Sequence, residues 1–150
     1  MAFDDTILND FNVTVERLRT SINESIRTSF EQNKDVVKTM QTEEQMYLGI
    51  NADGNAITPD YAKATINYKK RTGQPYDRVT LKDSGDFYDS MKLIIGNNSM
   101  FIMNTKKYWI YLIDKYADIL GITDTNLKTF VNTYTLPIIK QNFDDIIAES

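Results

Sequence analysis

The chain has 150 residues, which is enough for one domain with a single hydrophobic core. It contains no cysteine and no histidine, which excludes disulfides, thiolate nucleophiles, zinc sites built from Cys or His, and every catalytic triad that uses His. The net charge of −4 disfavours general nucleic-acid binding, and 41% hydrophobic with 25% charged residues is typical of a folded globular chain.

The amino-terminal stretch MAFDDTILND is acidic and has no basic region of the kind that opens a signal peptide. No apolar run in the sequence approaches the length of a membrane-spanning helix. We therefore expect a protein that is made in a cytoplasm-like compartment and makes no contact with a membrane.

Residues 5–40 have the pattern of one long amphipathic helix, because apolar side chains recur every three or four positions and no Gly or Pro interrupts them. Asp4, Asp5 or Thr6 is expected to cap its amino terminus. The apolar positions are Phe11, Val15, Leu18, Ile22, Ile26, Phe30, Val37 and Met40. This single stripe predicts packing against the body of the domain or against a neighbouring chain.

The helical spacing of apolar residues ends before residues 45–57. In this stretch the tight-turn dipeptide Asp53-Gly54 lies between short apolar segments, which predicts a small β-hairpin. The sequence GINADGNAITPD also aligns with a calcium-binding loop. However, Gly49 stands where that loop needs an Asp, and Asp60 stands where it needs a Glu. The hairpin explains the dipeptide without a metal, so we expect no calcium site here.

The dipeptide Thr58-Pro59 has the composition of a helix start, with Thr as the N-cap and Pro at the first helical position. The predicted helix is basic, runs from about 59 to 71 and ends at Gly73. Pro75 in the following loop prevents the helix from continuing.

Residues 61–82 contain six basic side chains against the single acidic Asp77, and three tyrosines lie among them. Arg and Tyr are frequent anchors of protein interfaces, so one interpretation is a contact with an acidic partner. The alternatives are a solvated helix face, and a nucleic-acid contact in which cations meet phosphates and tyrosines stack on bases. The candidate partner-binding residues are Lys69, Lys70, Arg71, Tyr76 and Arg78.

The sequence LKDSGDFYDSM places Asp83, Asp86 and Asp89 three residues apart, which predicts that they share one face of a helix. Such carboxylates form either a metal or acid–base site, or a helix start in which Asp83 or Ser84 caps and the acids complement the helix dipole. No other ligand type flanks them, so we favour the helix start and expect no catalytic, cofactor or metal site. The side chains expected to face the core are Leu81, Phe87, Tyr88 and Met91.

Two apolar segments, Met91–Ile95 and Met100–Met103, flank the turn sequence GNNS and predict a second β-hairpin. An aromatic and Met-rich block surrounds it, which is typical of a core or a subunit interface rather than a cofactor site. Its members are Met91, Met100, Met103, Tyr108, Trp109 and Tyr111.

Residues 106–120 predict an apolar core helix that Gly121 ends, and a last helix begins near Thr123 with a kink or split at Pro137. Together the segments predict an α+β fold. It has a long N-terminal helix and one or two small β-hairpins forming a small antiparallel sheet, packed with further helices including a C-terminal one. No linker or repeat divides the chain, so a single domain is expected over 1–150.

The run TPDYAKATINYKKRTGQPYDRVTLKDSGDFYDSM resembles a motif set of tailed-bacteriophage neck and tail-completion proteins, the connectors that join head to tail. The family pattern has a "P.Y…K…G" helix and loop, then "L..(S/T)G.L..S", a β-hairpin, and later an "LGL(T/S)" turn before a C-terminal helix. The sequence LGITDTNLKTF corresponds to the later turn, and Phe87 stands where the family usually has Leu. The matching residues of the first two motifs are Pro59, Tyr61, Lys69, Gly73, Leu81, Ser84, Gly85, Phe87 and Ser90.

This resemblance covers the chain from residue 58 to the end and implies a structural virion protein without catalysis. It implies assembly as a hexameric or dodecameric ring between the portal–connector complex and the tail, after synthesis in the host cytoplasm. The basic residues 69–82 are then expected to face an acidic neighbour or the DNA that passes through the ring lumen. The alternatives from the residues alone are an enzyme using Asp83, Asp86 and Asp89 with a metal, and a small nucleic-acid-binding module using residues 61–82.

Overall fold

The computed structural model of the protein describes residues 5–150 and confirms the predicted α+β fold, with a long N-terminal helix, a two-stranded antiparallel sheet and further helices. The described chain forms two compact units. One contains residues 5–33 and 129–150, and the other contains residues 34–128. The single domain expected over 1–150 stays a prediction.

The first unit packs helix α1 (Asp5–Gln32) against helix α7 (Leu136–Ala148) and the π-helical turn Val131–Thr135 that precedes α7. The rings of Phe30 and Phe130 stack with their centroids 4.2 Å apart. Small polar side chains recur every four residues on the inner side of α1, and their hydroxyls are hydrogen-bonded. These side chains are Ser21, Ser25 and Ser29, all buried.

Helix α1 ends earlier than predicted, because the helix expected over 5–40 is interrupted at Asn33 and resumes as α2 (Lys34–Thr42). The Asn33 side chain donates a hydrogen bond of 2.8 Å to the Ser29 carbonyl oxygen, which an uninterrupted helix would bond with a backbone N–H. Of the predicted amino-terminal caps, Asp4 lies outside the described residues.

The second unit is organised around one buried cluster to which short elements contribute. Its members are Met46, Ile57, Val79, Phe87, Tyr88, Met91, Tyr116 and Ile119. The regular elements are helix α2, the 3-10 turn Met46–Leu48, helix α3 (Lys63–Arg71), helix α4 (Asp86–Asp89), strands β1 (Met91–Ile95) and β2 (Met100–Asn104), helix α5 (Trp109–Lys115) and helix α6 (Asp124–Phe130), which begins in this unit.

The hairpin predicted around GNNS is confirmed: β1 and β2 pair antiparallel, from Met91 opposite Asn104 to Ile95 opposite Met100. Gly96 donates its N–H to the Ser99 carbonyl oxygen across the turn, at 2.7 Å. Because side chains alternate between the two faces of the pair, Met91 is buried while Phe101 is exposed. Helix α2 packs on β1.

The other predicted hairpin, over 45–57, is much reduced. Residues Met46–Leu48 form a 3-10 turn, and the only ladder pair in this stretch is the isolated bridge between Ile50 and Ala56. The Asp53-Gly54 turn forms as predicted, but the Asn51 side chain accepts the N–H groups of Asp53 and Asn55. Backbone bonds from Asn51 to Asn55 and from Ile57 to Gly49 accompany these side-chain bonds, but no regular strand forms.

The predicted helix start at Thr58-Pro59 is wrong, because α3 begins four residues later at Lys63. Ala62 before it is extended, with φ −62° and ψ 153°. The hydroxyl of Tyr61 accepts the N–H groups of Thr80 and Leu81. A helix starting at 59 would include Tyr61 and give its backbone a different conformation. The predicted end is correct, since α3 stops at Arg71.

The apolar helix predicted over 106–120 is also shorter and less buried than expected. Helix α5 has seven residues, and Tyr116 after it is extended and buried. The core contribution comes mainly from Tyr116 and Ile119, which follow the helix, so the prediction of a core helix is wrong for much of α5. The side chains left exposed are Tyr108, Ile110, Tyr111 and Ile113.

The last predicted helix begins at Asp124, where the Thr123 hydroxyl accepts the N–H of Asn126 as a cap. The expected split near Pro137 is confirmed as the change from the π-helical turn to α7, with Pro in its first turn. Proline has no N–H to donate to the preceding turn, so the helical bonding pattern must change there.

Candidate interaction surface

One face of α3 carries most of the exposed positive charge of the basic segment. Lys63, Asn67, Lys70 and Arg71 are spaced i, i+4, i+7 and i+8, so they share a helix face, and all four are exposed. We call these four residues the α3 basic face. The amphipathic spacing was visible in the sequence, and the structure adds that the polar side of the helix is the side left to solvent.

The cations of the α3 basic face have no carboxylate partner among residues 5–150. No ion pair or hydrogen bond to an acid involves Lys63, Lys70 or Arg71 within the described chain. The ammonium of Lys70 lies 4.8 Å from the ring centroid of Tyr76, whose side chain is 47% exposed. The surface therefore presents unpaired cations beside an exposed aromatic ring.

Lys69, a candidate partner-binding residue, lies in the interior. Its side chain is 3% exposed, and its Nζ donates to the Lys82 carbonyl oxygen at 2.7 Å and to Gln74 Oε1 at 2.9 Å. The same ammonium lies 5.1 Å from the ring centroid of Tyr61. These contacts hold the loop after α3 against the chain near residue 82, so we leave Lys69 out of the proposed contact surface.

Arg78 is partly committed to internal contacts as well. Its Nε donates to the Tyr47 carbonyl oxygen at 2.7 Å, and its Nη1 donates to Asp77 Oδ1 at 2.8 Å. A Cβ at Gly49 would lie 3.0 Å from the Arg78 Cβ, and Gly49 has φ +76°, so glycine is required where the arginine packs. Arg78 therefore supports the 3-10 turn more than it offers a free cation.

The first motif residues after the basic segment form a hydrogen-bonded support. The Tyr61 hydroxyl accepts the N–H groups of Thr80 at 3.1 Å and Leu81 at 2.8 Å. The Tyr88 hydroxyl donates to the Thr80 carbonyl oxygen at 2.6 Å, and burial raises the pKa of that hydroxyl above its ordinary value. Two tyrosines from separate segments thus fix the backbone that leads into the second motif.

The second motif starts helix α4 as predicted, but the N-cap residue is Gly85 rather than Asp83 or Ser84, and no side chain caps the helix from that position. Gly85 has φ +94°, a left-handed conformation that a side chain disfavours, and the Ser84 hydroxyl accepts the N–H of Asp86 at 3.2 Å. Phe87 and Tyr88 are then buried, and the Ser90 carbonyl oxygen accepts the N–H of Thr105.

Asp83 does not join the other two aspartates on a helix face, because α4 contains Asp86 and Asp89 only. Gln74 Nε2 and the Tyr68 hydroxyl donate to Asp83 Oδ1 at 3.0 and 3.1 Å. The hydrogen bond from Gln74 contributes most to lowering the pKa of Asp83, and the one from Tyr68 contributes next. The bonded carboxylate in turn raises the pKa of the Tyr68 hydroxyl. Within residues 5–150, no three acidic side chains lie together in a way that could hold a metal ion.

A groove of about 430 Å³ in the second unit collects the motif residues that were scattered along the sequence. Helices α3 and α5 contribute walls through Tyr68 and Leu112, and Lys69 and Lys82 also line it. Pro59, Gly73 and Ser90 are not among its lining residues. The motif residues that line this motif groove are Tyr61, Lys69, Leu81, Ser84, Gly85 and Phe87.

Two groups of apolar side chains are exposed. On α1, Phe11 belongs to the stripe expected to pack against the domain body or a neighbouring chain, and it is 64% exposed. On α5, Tyr111 lies in the predicted core helix and in the block expected at a core or interface, and it is 78% exposed. A usable signal was present, because apolar residues at 7, 8, 11 and 13 cover more of the helix circumference than one stripe requires. The exposed apolar residues on these elements and β2 include Ile7, Leu8, Phe11, Val13, Met100, Phe101, Tyr108, Ile110 and Tyr111.

Comparison with known proteins adds no relative: the chain matches no family model, no curated protein and no solved structure. Among the helices of residues 5–150, none combines the length and hydropathy that crossing a membrane requires.

Proposed function

We propose that the chain is a structural virion protein of a tailed bacteriophage that acts at the head–tail junction, as a neck, tail-completion or connector ring protein. The observation that carries this proposal is the convergence of the resemblance motifs. Six of the nine residues that match the first two motifs line one groove, and the N–H of Leu81 donates to the Tyr61 hydroxyl within it. A motif set that builds a single local structure is less easily explained as a chance similarity of short patterns.

The motif residues have a structural task that fits such a role. Ser84 and Gly85 start α4, the carbonyl oxygen of Phe87 accepts the Asn104 side-chain amide, and the hairpin follows directly. The motifs therefore fix how β1 and β2 leave the core. A protein whose task is to present a hairpin to neighbours needs this kind of support.

Exposed apolar side chains favour assembly through protein contacts. Phe101 is 55% exposed and Ile110 is 59% exposed, and further aromatic residues lie exposed on the same elements. Single exposed apolar residues are ordinary, but several large ones on neighbouring elements are typical of interaction surfaces. In the proposed particle these residues contact adjacent subunits, the portal or connector, or the tail.

The α3 basic face supplies the charged part of the proposed assembly. In a ring between portal and tail, Lys70 and Arg71 face either an acidic neighbour or the DNA that traverses the lumen. A lumen position requires that these cations point inward in the assembled ring, so labelling of Lys70 in intact particles distinguishes the two locations. Protection by packaged DNA supports the lumen, whereas labelling equal in full and empty particles contradicts it.

The direct test of the proposed function is the location of the chain in particles. Particles made from the genome that encodes it should contain the chain in about 6 or 12 copies, multiples that follow from the closed cyclic symmetry of such rings. Antibody-labelled electron microscopy should place it at the head–tail junction. Deleting its gene should leave filled heads and separate tails. Normal infectious particles without the chain would contradict the proposal.

A further inference from the structure

The first turns of α1 form an exposed acidic surface with apolar side chains. Residues 5–16, which we call the α1 acidic turns, contain three acidic and no basic residues. Ile7, Leu8 and Phe11 are 59%, 46% and 64% exposed. Because their spacing is i, i+1 and i+4, they lie side by side on the helix.

Two of the three carboxylates in the α1 acidic turns make no ion pair within the described chain. Asp5 and Asp10 are exposed and make no ion pair among residues 5–150, and Glu16 pairs with Arg19 at 3.2 Å. An apolar stripe flanked by free carboxylates has the chemistry of a helix that docks on a basic, aromatic surface.

The α3 basic face has the complementary chemistry. Residues 61–76 contain four basic and no acidic residues, and three of those cations are exposed without carboxylate partners in the described chain. Tyr68 and Tyr76 are 41% and 47% exposed beside them and provide apolar contact area. Residues 5–16 span about 18 Å and α3 spans about 13 Å, so the α1 acidic turns are long enough to cover the α3 basic face.

From this match we propose that copies of the chain join head to tail, with the α1 acidic turns of one copy docked on the α3 basic face of the next. The contact is heterologous, because it uses two different surfaces, and closure of such contacts into a ring rests on the proposed function. A second copy is favoured over DNA as the occupant because the chain itself carries the complementary acidic helix, while its net charge of −4 repels phosphate backbones.

The test uses two full-length variants, each of which reverses the charge on one side of the proposed contact. The helix variant carries Asp5→Lys and Asp10→Lys, and the face variant carries Lys70→Glu and Arg71→Glu. Each variant alone should associate at least about tenfold more weakly than the unchanged chain in sedimentation equilibrium, because like charges meet across the contact. Mixed one to one, they should associate again, because the intact helix of the face variant meets the intact face of the helix variant, and the two reversed surfaces are themselves opposite in charge.

Two controls separate the contact from general effects of charge and folding. A variant with Lys107→Glu and Lys128→Glu has the same charge change as the face variant on exposed residues elsewhere, and should associate normally. Phe11→Ser should weaken association, whereas Ile147→Ser, at a side chain that is 60% exposed on α7, should not. Circular dichroism and urea unfolding midpoints verify that every variant is folded.

Several outcomes would overturn the inference. The unchanged chain could sediment as a monomer at all concentrations, or either charge variant could assemble normally. A face variant that assembles while the helix variant does not would indicate an α1–α1 contact between copies instead. Loss of salt-dependent DNA binding in the face variant, with normal assembly, would assign the surface to nucleic acid.

The proposed function fails separately. If the charge variants behave as expected but the chain is absent from particles, the docking contact is supported and the virion role is contradicted. If the chain is located at the junction but each charge variant still assembles, the virion role is supported and the docking contact is contradicted.

Discussion

Lys69 shows at the scale of a single residue how burial changes the role of a charged side chain. In the sequence it is one of three consecutive cations, Lys69, Lys70 and Arg71, and nothing distinguishes it from its neighbours. In the structure it bonds Gln74 and the backbone of Lys82, while Lys70 and Arg71 face solvent. The helix period decides which of the three points inward, and the helix start must be known to apply it.

Replacing Lys69 by Met should destabilise the protein by about 1–3 kcal/mol, because the Lys82 carbonyl oxygen and Gln74 Oε1 lose their donor at a buried position. The matched change Lys70→Met should alter the free energy of unfolding by no more than about 0.5 kcal/mol, since Lys70 is exposed. Urea unfolding measures both values. Equal effects of the two substitutions would contradict the internal role of Lys69.

Gly85→Val should cost about 1–3 kcal/mol, because the backbone at φ +94° disfavours a β-branched residue. Crowding is not the reason, since an added Cβ would meet only Asp89 Oδ2 at 4.0 Å. Asp86→Asn should be nearly neutral in thermal unfolding, because Asp86 is exposed and the Ser84 hydroxyl accepts its N–H. A large loss of function from Asp86→Asn with normal folding would instead indicate an active site.

Asp83 should titrate below the ordinary range of an aspartate, because Gln74 and Tyr68 donate hydrogen bonds to its charged form. A lowered folded-state pKa means that its contribution to stability is present above the unfolded pKa and is lost as pH falls through the folded pKa. NMR of the side-chain carboxyl carbon measures this titration. Gln74→Ala should raise the pKa of Asp83, and an unchanged value would show that this hydrogen bond is not the cause.

At the scale of elements, the sequence predicted the type of most segments better than their length. The hairpin at β1 and β2 formed as expected because a four-residue turn separates two apolar runs of five and four residues. The helix starting at Lys63 and the interruption at Asn33 were missed. Both depend on side-chain bonds, from Tyr61 to residues 80 and 81 and from Asn33 to Ser29. Such hydrogen bonds leave no periodic pattern in the amino-acid sequence.

The same limit applied to the candidate site. The motif order was readable, and the helix start at residues 84–86 followed from turn chemistry. The burial of Lys69 and the bonding of Asp83 to Gln74 were not readable, because they require the loop after α3 to fold back. The exposure of Tyr111 was missed since an apolar sequence is typical of a core helix and equally of an interface.

Asn104 should be an element-scale determinant of hairpin placement. It is buried, its Nδ2 donates to the Phe87 carbonyl oxygen, and its Oδ1 accepts the N–H of Lys106 at 2.9 Å. Asn104→Ala should lower the free energy of unfolding by about 1–3 kcal/mol, because both partners lose a bond at a buried site. Asn98→Ala, in the exposed hairpin turn, should change it by less than about 0.5 kcal/mol. Hydrogen exchange of β2 amides provides an independent measurement, and unchanged protection in Asn104→Ala would contradict the role.

At the scale of the whole molecule, the polar interior is satisfied while much apolar area stays outside. In residues 5–150, no buried side-chain nitrogen or oxygen lacks a hydrogen-bond partner. Large apolar side chains are exposed on α1, β2 and α5, and the exposed charged groups include those of the α1 acidic turns and the α3 basic face. These surface properties are typical of a subunit that completes its burial by assembly.

Native mass spectrometry of the full-length protein tests the central claim, self-assembly into a structural ring, most directly. Raising the concentration should convert monomer into one closed species of about 6 or 12 copies, the numbers that the proposed ring implies. High salt should shift the equilibrium towards monomer, since the docking contact is partly ionic. A single monomeric mass at every concentration, or open-ended growth without a closed species, would contradict this account.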